Sequence, residues 1–289
     1  MSVLSWNRYG KSRIRLVKVR RAPARAGQTD APHEIVDLTI DVQLEGAFEP
    51  VYVDGDNSRC LATDTMKNTV YALARQDPID HVEIFALKLA DYFYANPAVS
   101  HARISAFEYR WERLSADGRP HPHAFVQPGG EQWTTVVTRD AQGAGIASGL
   151  TNLVLLKTND SAFAGFPRDE YTTLPETGDR VLATSVTASW TYRAGTSDFG
   201  ARDRIRRALV ETFAAHVSQS VQHTLYAMAN AALAACADVT AITLTLPNRH
   251  HLLVDLTPFG LDNPNEIFVA TDQPFGLIEA TIRRSEGTA

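Results

Sequence analysis

The sequence predicts an α+β protein whose strands pair mostly antiparallel, with helices packed on one face of each sheet. Three observations carry this. Apolar residues alternate at period two in several runs, most cleanly at Val36, Leu38, Ile40, Val42 and Leu44, between Asp37, Thr39, Asp41 and Gln43. Stripes at helical spacing come in blocks rather than singly between strands, which argues against alternating βαβ units. The order strand, strand, helical region, strand, strand also occurs twice in 289 residues, without a residue-by-residue repeat, and this places two modules at 1–142 and 143–289.

Composition narrows the class. With 44% hydrophobic and 21% charged residues, the chain has ample material for a core and reads as an ordinary globular protein. A formal net charge of −5 argues against nucleic acid as a partner. Cys60 and Cys236 are the only cysteines, too few for a disulfide framework or a zinc–cysteine site, so a reducing compartment is expected. No apolar run reaches the roughly 18 residues a membrane span requires. Asn7, Arg8 and Lys11 interrupt any apolar leader.

In the first module, Ile14 and Leu16 alternate with Arg13, Arg15 and Val17. That pattern makes the basic N-terminal stretch a strand with one charged face rather than a nucleic-acid arm. A turn at 23–32 joins it to the strand at 36–44 as an antiparallel hairpin. A helix opens near Leu61, with Thr63 or Asp64 as its cap and Met66, Val70 and Leu73 inward. Its N-terminus presents free N–H groups to an anion. Pro78 ends it. Asp80 and Glu83 then form a capping box for a second helix striped by Val82, Phe85, Leu89 and Phe93, which stops at Asn96-Pro97. A strand over 103–113 follows, with Phe107, Tyr109 and Trp111 on one side, and Asp117-Gly118 is a turn. His121-Pro-His123 has the look of a metal pair, but it lacks a nearby carboxylate or cysteine and is better read as a hydrogen-bonded structural pair.

In the second module an apolar strand at 153–156 feeds a loop punctuated by Gly165, Pro167, Pro175 and Gly178. The next strand places Leu182, Val186, Ala188, Trp190 and Tyr192 on one face. Phe163 and Arg180 sit at the edges of the intervening loop. An aromatic face beside a guanidinium suits a flat, anionic, hydrogen-bonding heterocycle. Ser197 or Asp198 begins a helix striped by Ile205, Leu209, Phe213 and Val217. It breaks or kinks near 218–220, then continues with Val221, Leu225, Met228 and Ala232 inward. Strands are expected at 242–246, 251–256, 267–270 and 278–282.

The central stretch resembles the signature of the urate oxidase (uricase) family: Lys157 closing an apolar strand, then Ser161, Phe163, Phe166, Tyr171, Leu174 and Arg180 at fixed spacing. Asn159 departs from it, standing where a small hydroxyl residue is expected. The likeness continues, in order, at Tyr9-Gly-Lys11, at Ala62-Thr-Asp64 with Lys67-Asn68-Thr69, at Ser220-Val-Gln222 and at Leu246-Pro-Asn248-Arg-His250.

For the fold, the resemblance implies two tandem tunnelling-fold (T-fold) modules whose sheets close into a barrel only on oligomerisation. It further implies a homotetramer with active sites between subunits: Lys11, Thr63 and Asp64 from one chain, and Phe163, Arg180, Val221 and Gln222 from its neighbour. The reaction implied is oxidation of urate by dioxygen and water to 5-hydroxyisourate and hydrogen peroxide, a step of purine degradation, with O2 as co-substrate and no cofactor. The chain ends Glu-Gly-Thr-Ala rather than in the Ser-Lys-Leu address of peroxisomal relatives, so a cytoplasmic location is expected.

The implied roles agree with side-chain chemistry. Arg180 can donate two parallel bonds to one edge of urate, Gln222 can donate and accept on the next, and Phe163 can stack on the face. Backbone N–H groups of Thr63, Asp64 and Val221 can meet other acceptors. Lys11, Thr63 and His250 resemble the family's proton relay, in which a lysine serves as base once burial or a neighbouring cation lowers its pKa. Asn248 would hold the small-molecule pocket above the ring. Two other readings are a pterin-directed T-fold enzyme, whose zinc or acid/base set cannot be assembled here, and a purine-binding module, which would not need the relay. No dinucleotide fingerprint, P-loop or convincing metal cluster is found in the sequence.

Overall fold

The computed structural model describes residues 2–21, 31–271 and 273–285. The chain forms two compact units, Met1–Gly149 with Thr191–Gly200, and Leu150–Trp190 with Ala201–Ala289.

In the first unit, β1 (Tyr9–Arg20) and β2 (Glu34–Gly46) form the expected antiparallel hairpin. The turn expected at 23–32 falls largely on residues 22–30, outside the described residues. Three helices follow: α1 (Glu49–Val53), which the sequence reading missed, then α2 (Thr63–Gln76) and α3 (Val82–Tyr94). Next come β3 (Val99–Tyr109), the hairpin of β4 (Glu112–Ala116) and β5 (Arg119–Val126), then β6 (Gln132–Asp140) and the start of β7 (Gly143–Lys157). The sheet order is β1-β2-β3-β6-β7. Helix α2 packs on β1, and α3 packs on β3 and β6. Between them Leu38, Val42, Leu44, Met66, Val70, Leu89 and Ile104 lose all contact with water. Each such side chain contributes about 1.5–3 kcal/mol of burial.

Several local expectations are corrected here. The N-cap of α2 is Ala62 and no side chain caps it; Asp64 instead binds Lys67 and Asn68 one turn on. The N-cap of α3 is His81, again without a side-chain bond. Glu83 is buried and accepts from the Ser148 hydroxyl, so it is unavailable for a capping box with Asp80. The strand expected over 103–113 ends at Tyr109, because the Trp111 indole turns away to donate to the buried Asp37 carboxylate at 3.1 Å. The Asp117-Gly118 turn is present, with φ of 50° and 71°. His121 and His123 meet edge to face, 4.6 Å between centroids.

The second unit holds the rest of β7, then β8 (Leu182–Tyr192), α4 (Arg202–Ala215), α5 (Val221–Ala235), β9 (Val239–Pro247), β10 (His250–Leu253), β11 (Phe268–Thr271) and β12 (Leu277–Arg283). Its sheet order is β7-β8-β9-β12, while β10 and β11 pair antiparallel by themselves. Helix α5 packs on β9 and β12 and buries Val221, Leu225, Met228 and Ala232 as expected. Helix α4 starts at Arg202, later than expected, since Asp198 is turned back to accept from Gly200 N–H at 2.8 Å. The chain breaks rather than kinks after Ala215, which leaves Val217 57% exposed and outside the apolar stripe. Among the described residues, no helix is long and apolar enough to cross a membrane.

Candidate active site

In the first unit, Lys11, Thr63 and Asp64 are brought together by the start of β1 and the start of α2. Gly10 lies so close to β2 that a Cβ there would sit 1.8 Å from the Val42 carbonyl oxygen. Only glycine permits this approach, and it fixes the half-buried Lys11 opposite Val42. A bulge follows between Lys11 and Ile14, with Arg13 at φ 58° and its N–H donating to Asp41 at 2.5 Å. Tyr9 fastens this strand to the segment before α2: its hydroxyl accepts from Leu61 N–H at 2.8 Å and its ring meets Phe48 edge to face at 4.8 Å. Burial, with Cys60 adjacent, pushes the Tyr9 pKa up to about 12.

Helix α2 begins with three N–H groups that precede its first internal bond, from Met66 N–H to Ala62 at 3.1 Å. Those of Thr63, Asp64 and Thr65 are thus open to an anionic ligand. The Asp64 carboxyl is held below its ordinary range chiefly by Lys67, with Asn68 and then Lys11 adding to the effect. Lys11 therefore lies within electrostatic reach of the first turn of α2.

In the second unit the segment 160–163 acts as a backbone hub. On one side Phe163 exchanges two backbone bonds with Thr177, at 2.9 and 3.0 Å, and Ser161 N–H donates to the Asp179 carboxylate at 3.1 Å. On the other, Ala162 N–H donates to Ser218 at 2.8 Å and Ser218 N–H returns to Asp160 at 2.9 Å. This brings Phe163, Arg180 and the N-terminus of α5 into one place. The Arg180 guanidinium lies over the Phe163 ring, 5.2 Å from its centroid, and Phe166 stacks on the same ring at 4.9 Å and 15°. Burial pulls the Arg180 pKa down, and its Nε is enclosed without a hydrogen-bond partner. An anion would resolve both conditions.

At α5 the Ser220 hydroxyl caps His223 N–H at 3.1 Å, and the first internal bond runs from Thr224 N–H to Ser220 at 3.1 Å. The N–H groups of Val221 and Gln222 are left facing outward from the helix end, with Val221 buried and the Gln222 side chain exposed. Ser218, itself buried, braces this end by donating to the Ser220 carbonyl at 3.0 Å and accepting from Thr224 at 2.7 Å.

Asn248 and His250 enter from the end of β9. Asn248 pairs with Thr184 of β8 and donates its N–H to Gly276 at 2.8 Å, and Arg249 N–H donates to Ala183 at 2.9 Å. His250 opens β10 opposite Thr271. Both side chains are half-buried. The predicted residues thus form two groups: Lys11, Thr63 and Asp64 in the first unit, and Phe163, Arg180, Val221, Gln222, Asn248 and His250 in the second.

Sequence reasoning gave no role to Tyr9, although it stands in the quoted Tyr-Gly-Lys segment, nor to Ser218. A cavity of about 600 Å³ in the first unit, lined by Arg59, Cys60, Leu61 and Asn96 among others, contains none of the predicted residues. Among the described residues, no cluster of three or more His, Cys, Asp or Glu is arranged to hold a metal ion.

The family model described as Uricase matches residues 7–138 and 146–279. The chain is 44% identical to a uricase of Arthrobacter globiformis, over 99% of this chain and 92% of that one. Against a uricase of Dictyostelium discoideum it is 35% identical, over 99% of both. The crystal structure of the Arthrobacter globiformis uricase superposes with a TM-score of 0.91 at 43% identity, covering 100% of this chain and 97% of that one. A uricase structure from a Bacillus species, at 23% identity and a TM-score of 0.81, shares the fold over 96% of this chain and 93% of that one.

Proposed function

The chain belongs to the uricase family, and from that premise we propose that it oxidises urate with dioxygen and water to 5-hydroxyisourate and hydrogen peroxide, with no metal or organic cofactor. The observation that carries this reading is Arg180. It is a half-buried guanidinium, 5.2 Å over the Phe163 ring, with a buried and unpartnered Nε. A planar anion with a two-acceptor edge satisfies all three features at once.

In this mechanism Arg180 and Gln222 hold adjoining edges of urate while Phe163 stacks on its face. Val221 N–H, with the Thr63 and Asp64 N–H groups of a neighbouring chain, meets the remaining acceptors. Lys11, through the Thr63 hydroxyl, takes the second proton from urate, and His250 connects the relay to water. The resulting dianion is electron-rich enough to reduce dioxygen itself, which is why no cofactor is required. Dioxygen leaves as hydrogen peroxide, and water, held above the ring by Asn248, adds to the oxidised purine. Two T-fold modules per chain, assembled as a homotetramer that closes the barrel, would bring the relay of one chain to the clamp of the next. The placement of the two residue groups in different units is compatible with that assembly.

The test is direct. Chelator-treated protein in air-saturated buffer should consume urate and release peroxide one for one. Binding of a purine without turnover would leave a purine-binding module, and absence of both would overturn the reading.

A further inference from the structure

We propose that Thr184 is a positioning residue for Asn248: its buried hydroxyl donates to the Asn248 side-chain oxygen and turns the amide NH2 toward the small-molecule pocket. The inference rests on the pocket role given to Asn248 above and adds the group that orients this side chain.

Three observations converge on the pair. Thr184 is fully buried, and its Oγ1 has no hydrogen-bond partner. A buried hydroxyl without a partner costs stability, so its presence calls for a reason. Asn248, just past the end of β9, stands directly opposite Thr184 as its antiparallel bridge partner. Arg249 N–H donates to the Ala183 carbonyl at 2.9 Å. That bond joins residues flanking the pair, so Thr184 and Asn248 are opposed as a non-hydrogen-bonded pair. In this arrangement facing side chains approach most closely.

Residues opposed in this way point to the same side of the sheet. For Thr184 that side is the apolar one, shared with Leu182, Val186, Ala188 and Trp190, all buried. Asn248 is half-buried, two residues beyond the buried Leu246. Its backbone is held on both sides, by its own N–H bond to Gly276 at 2.8 Å and by the Arg249–Ala183 bond. What remains free is rotation of the two side chains, and this brings hydroxyl and amide together.

An orphan hydroxyl alone would not carry the inference. Thr135 is nearly as buried and also unpartnered, but its bridge partner is Ala106, whose side chain has nothing to offer it. Thr184 differs in facing an amide that has both a donor and an acceptor. The direction of the bond follows from the proposed chemistry. As dioxygen takes up electrons above the ring, negative charge develops on its oxygens, and a fixed N–H donor stabilises that charge. Thr184 donating to Oδ1 leaves Nδ2 to face the pocket. Without the hydroxyl, the amide can present either end.

The experiment compares the wild type with Thr184→Val, which keeps the branched shape and deletes the hydroxyl, and with Thr184→Ser, which keeps the hydroxyl. Thr135→Val is the control, the same deletion opposite an alanine. Thr184→Val should lower kcat and raise the KM for dioxygen severalfold, with the Kd for xanthine unchanged. Thr184→Ser should restore most of the loss, and Thr135→Val should behave as the wild type. If Thr184→Val does not fold, Thr184→Ala carries the same comparisons. The NMR signal of the Asn248 side-chain amide, assigned by its loss in Asn248→Asp, gives a readout that needs no turnover. It should move in Thr184→Val and return toward its wild-type position in Thr184→Ser. An amide signal unmoved by loss of the hydroxyl, an equal kinetic loss in Thr135→Val, or a loss confined to xanthine affinity overturns the inference. Absence of urate turnover in the wild type would instead overturn the proposed activity, while the amide signal would still decide whether Thr184 orients Asn248.

Discussion

The guanidinium of Arg180 lies 5.2 Å over the ring of Phe163, and the two residues are held by a common backbone hub rather than by each other. Phe163 is paired with Thr177, and Ser161 holds Asp179, the residue before Arg180. The contact is thus a consequence of chain geometry, and either side chain can be replaced without moving its partner's backbone.

Removing the guanidinium should abolish binding rather than chemistry alone. For Arg180→Ala, loss of two charge-assisted bonds costs about 3 kcal/mol or more, a fall of over about a hundredfold in kcat/KM. Arg180→Lys should recover little, because a point charge cannot reproduce the planar fork. Steady-state kinetics and xanthine titration check both.

Thr63→Ala should do the reverse. The backbone N–H stays in place while the hydroxyl that passes the proton is lost, so kcat should fall about 10²- to 10⁴-fold with xanthine affinity little changed. Equal losses confined to binding in both variants would contradict the division of roles.

Gly10→Ala should damage the fold before it damages the site. The new methyl would meet the Val42 carbonyl at 1.8 Å, and that carbonyl belongs to a paired strand that cannot yield cheaply. Destabilisation of about 3 kcal/mol or more is expected from denaturant unfolding. Any folded fraction should turn over slowly, because Lys11 would be displaced.

Tyr9→Phe should alter stability in strong base. The Tyr9 pKa is raised from 10.0 to about 12 in the folded chain. The unfolded chain therefore loses this proton first, and the stability associated with the neutral phenol is full below pH 10 and falls as pH rises to about 12. The variant should lose less stability across that window, measured by thermal unfolding at successive pH values. At neutral pH it should be less stable than the wild type, since Leu61 N–H loses its acceptor.

Much of the scaffold was legible because its signals are local. The alternation from Val36 to Leu44 specifies a strand with a buried apolar face, and the stripe at Val221, Leu225, Met228 and Ala232 specifies a helix; the structure buries both sets, but the strand's other face is not wet as expected, since Asp37 and Thr39 are buried as well. The caps were misread because Asp64 and Glu83 each found a stronger partner, Lys67 one turn on and Ser148 across 65 residues. The candidate site was legible through its motifs as a set of residue types. The Tyr9–Leu61 bond joins positions 52 apart, which no local pattern encodes. The contact of His216 Nε2 with His223 Nδ1, at 3.2 Å, was hidden differently: it depends on a chain break that periodicity left undecided between a break and a kink.

The hub at 160–163 has a consequence for selectivity. Phe163 and the open end of α5 are fixed by backbone bonds formed when the chain folds, and Arg180 follows the Asp179 carboxylate that Ser161 N–H holds. Under the proposed clamp, one purine cannot be favoured over another by reshaping this wall around it. Discrimination must come from the ligand, from whether its own edge atoms match donors already in position. A purine with one donor where urate has an acceptor would be refused outright rather than accommodated loosely.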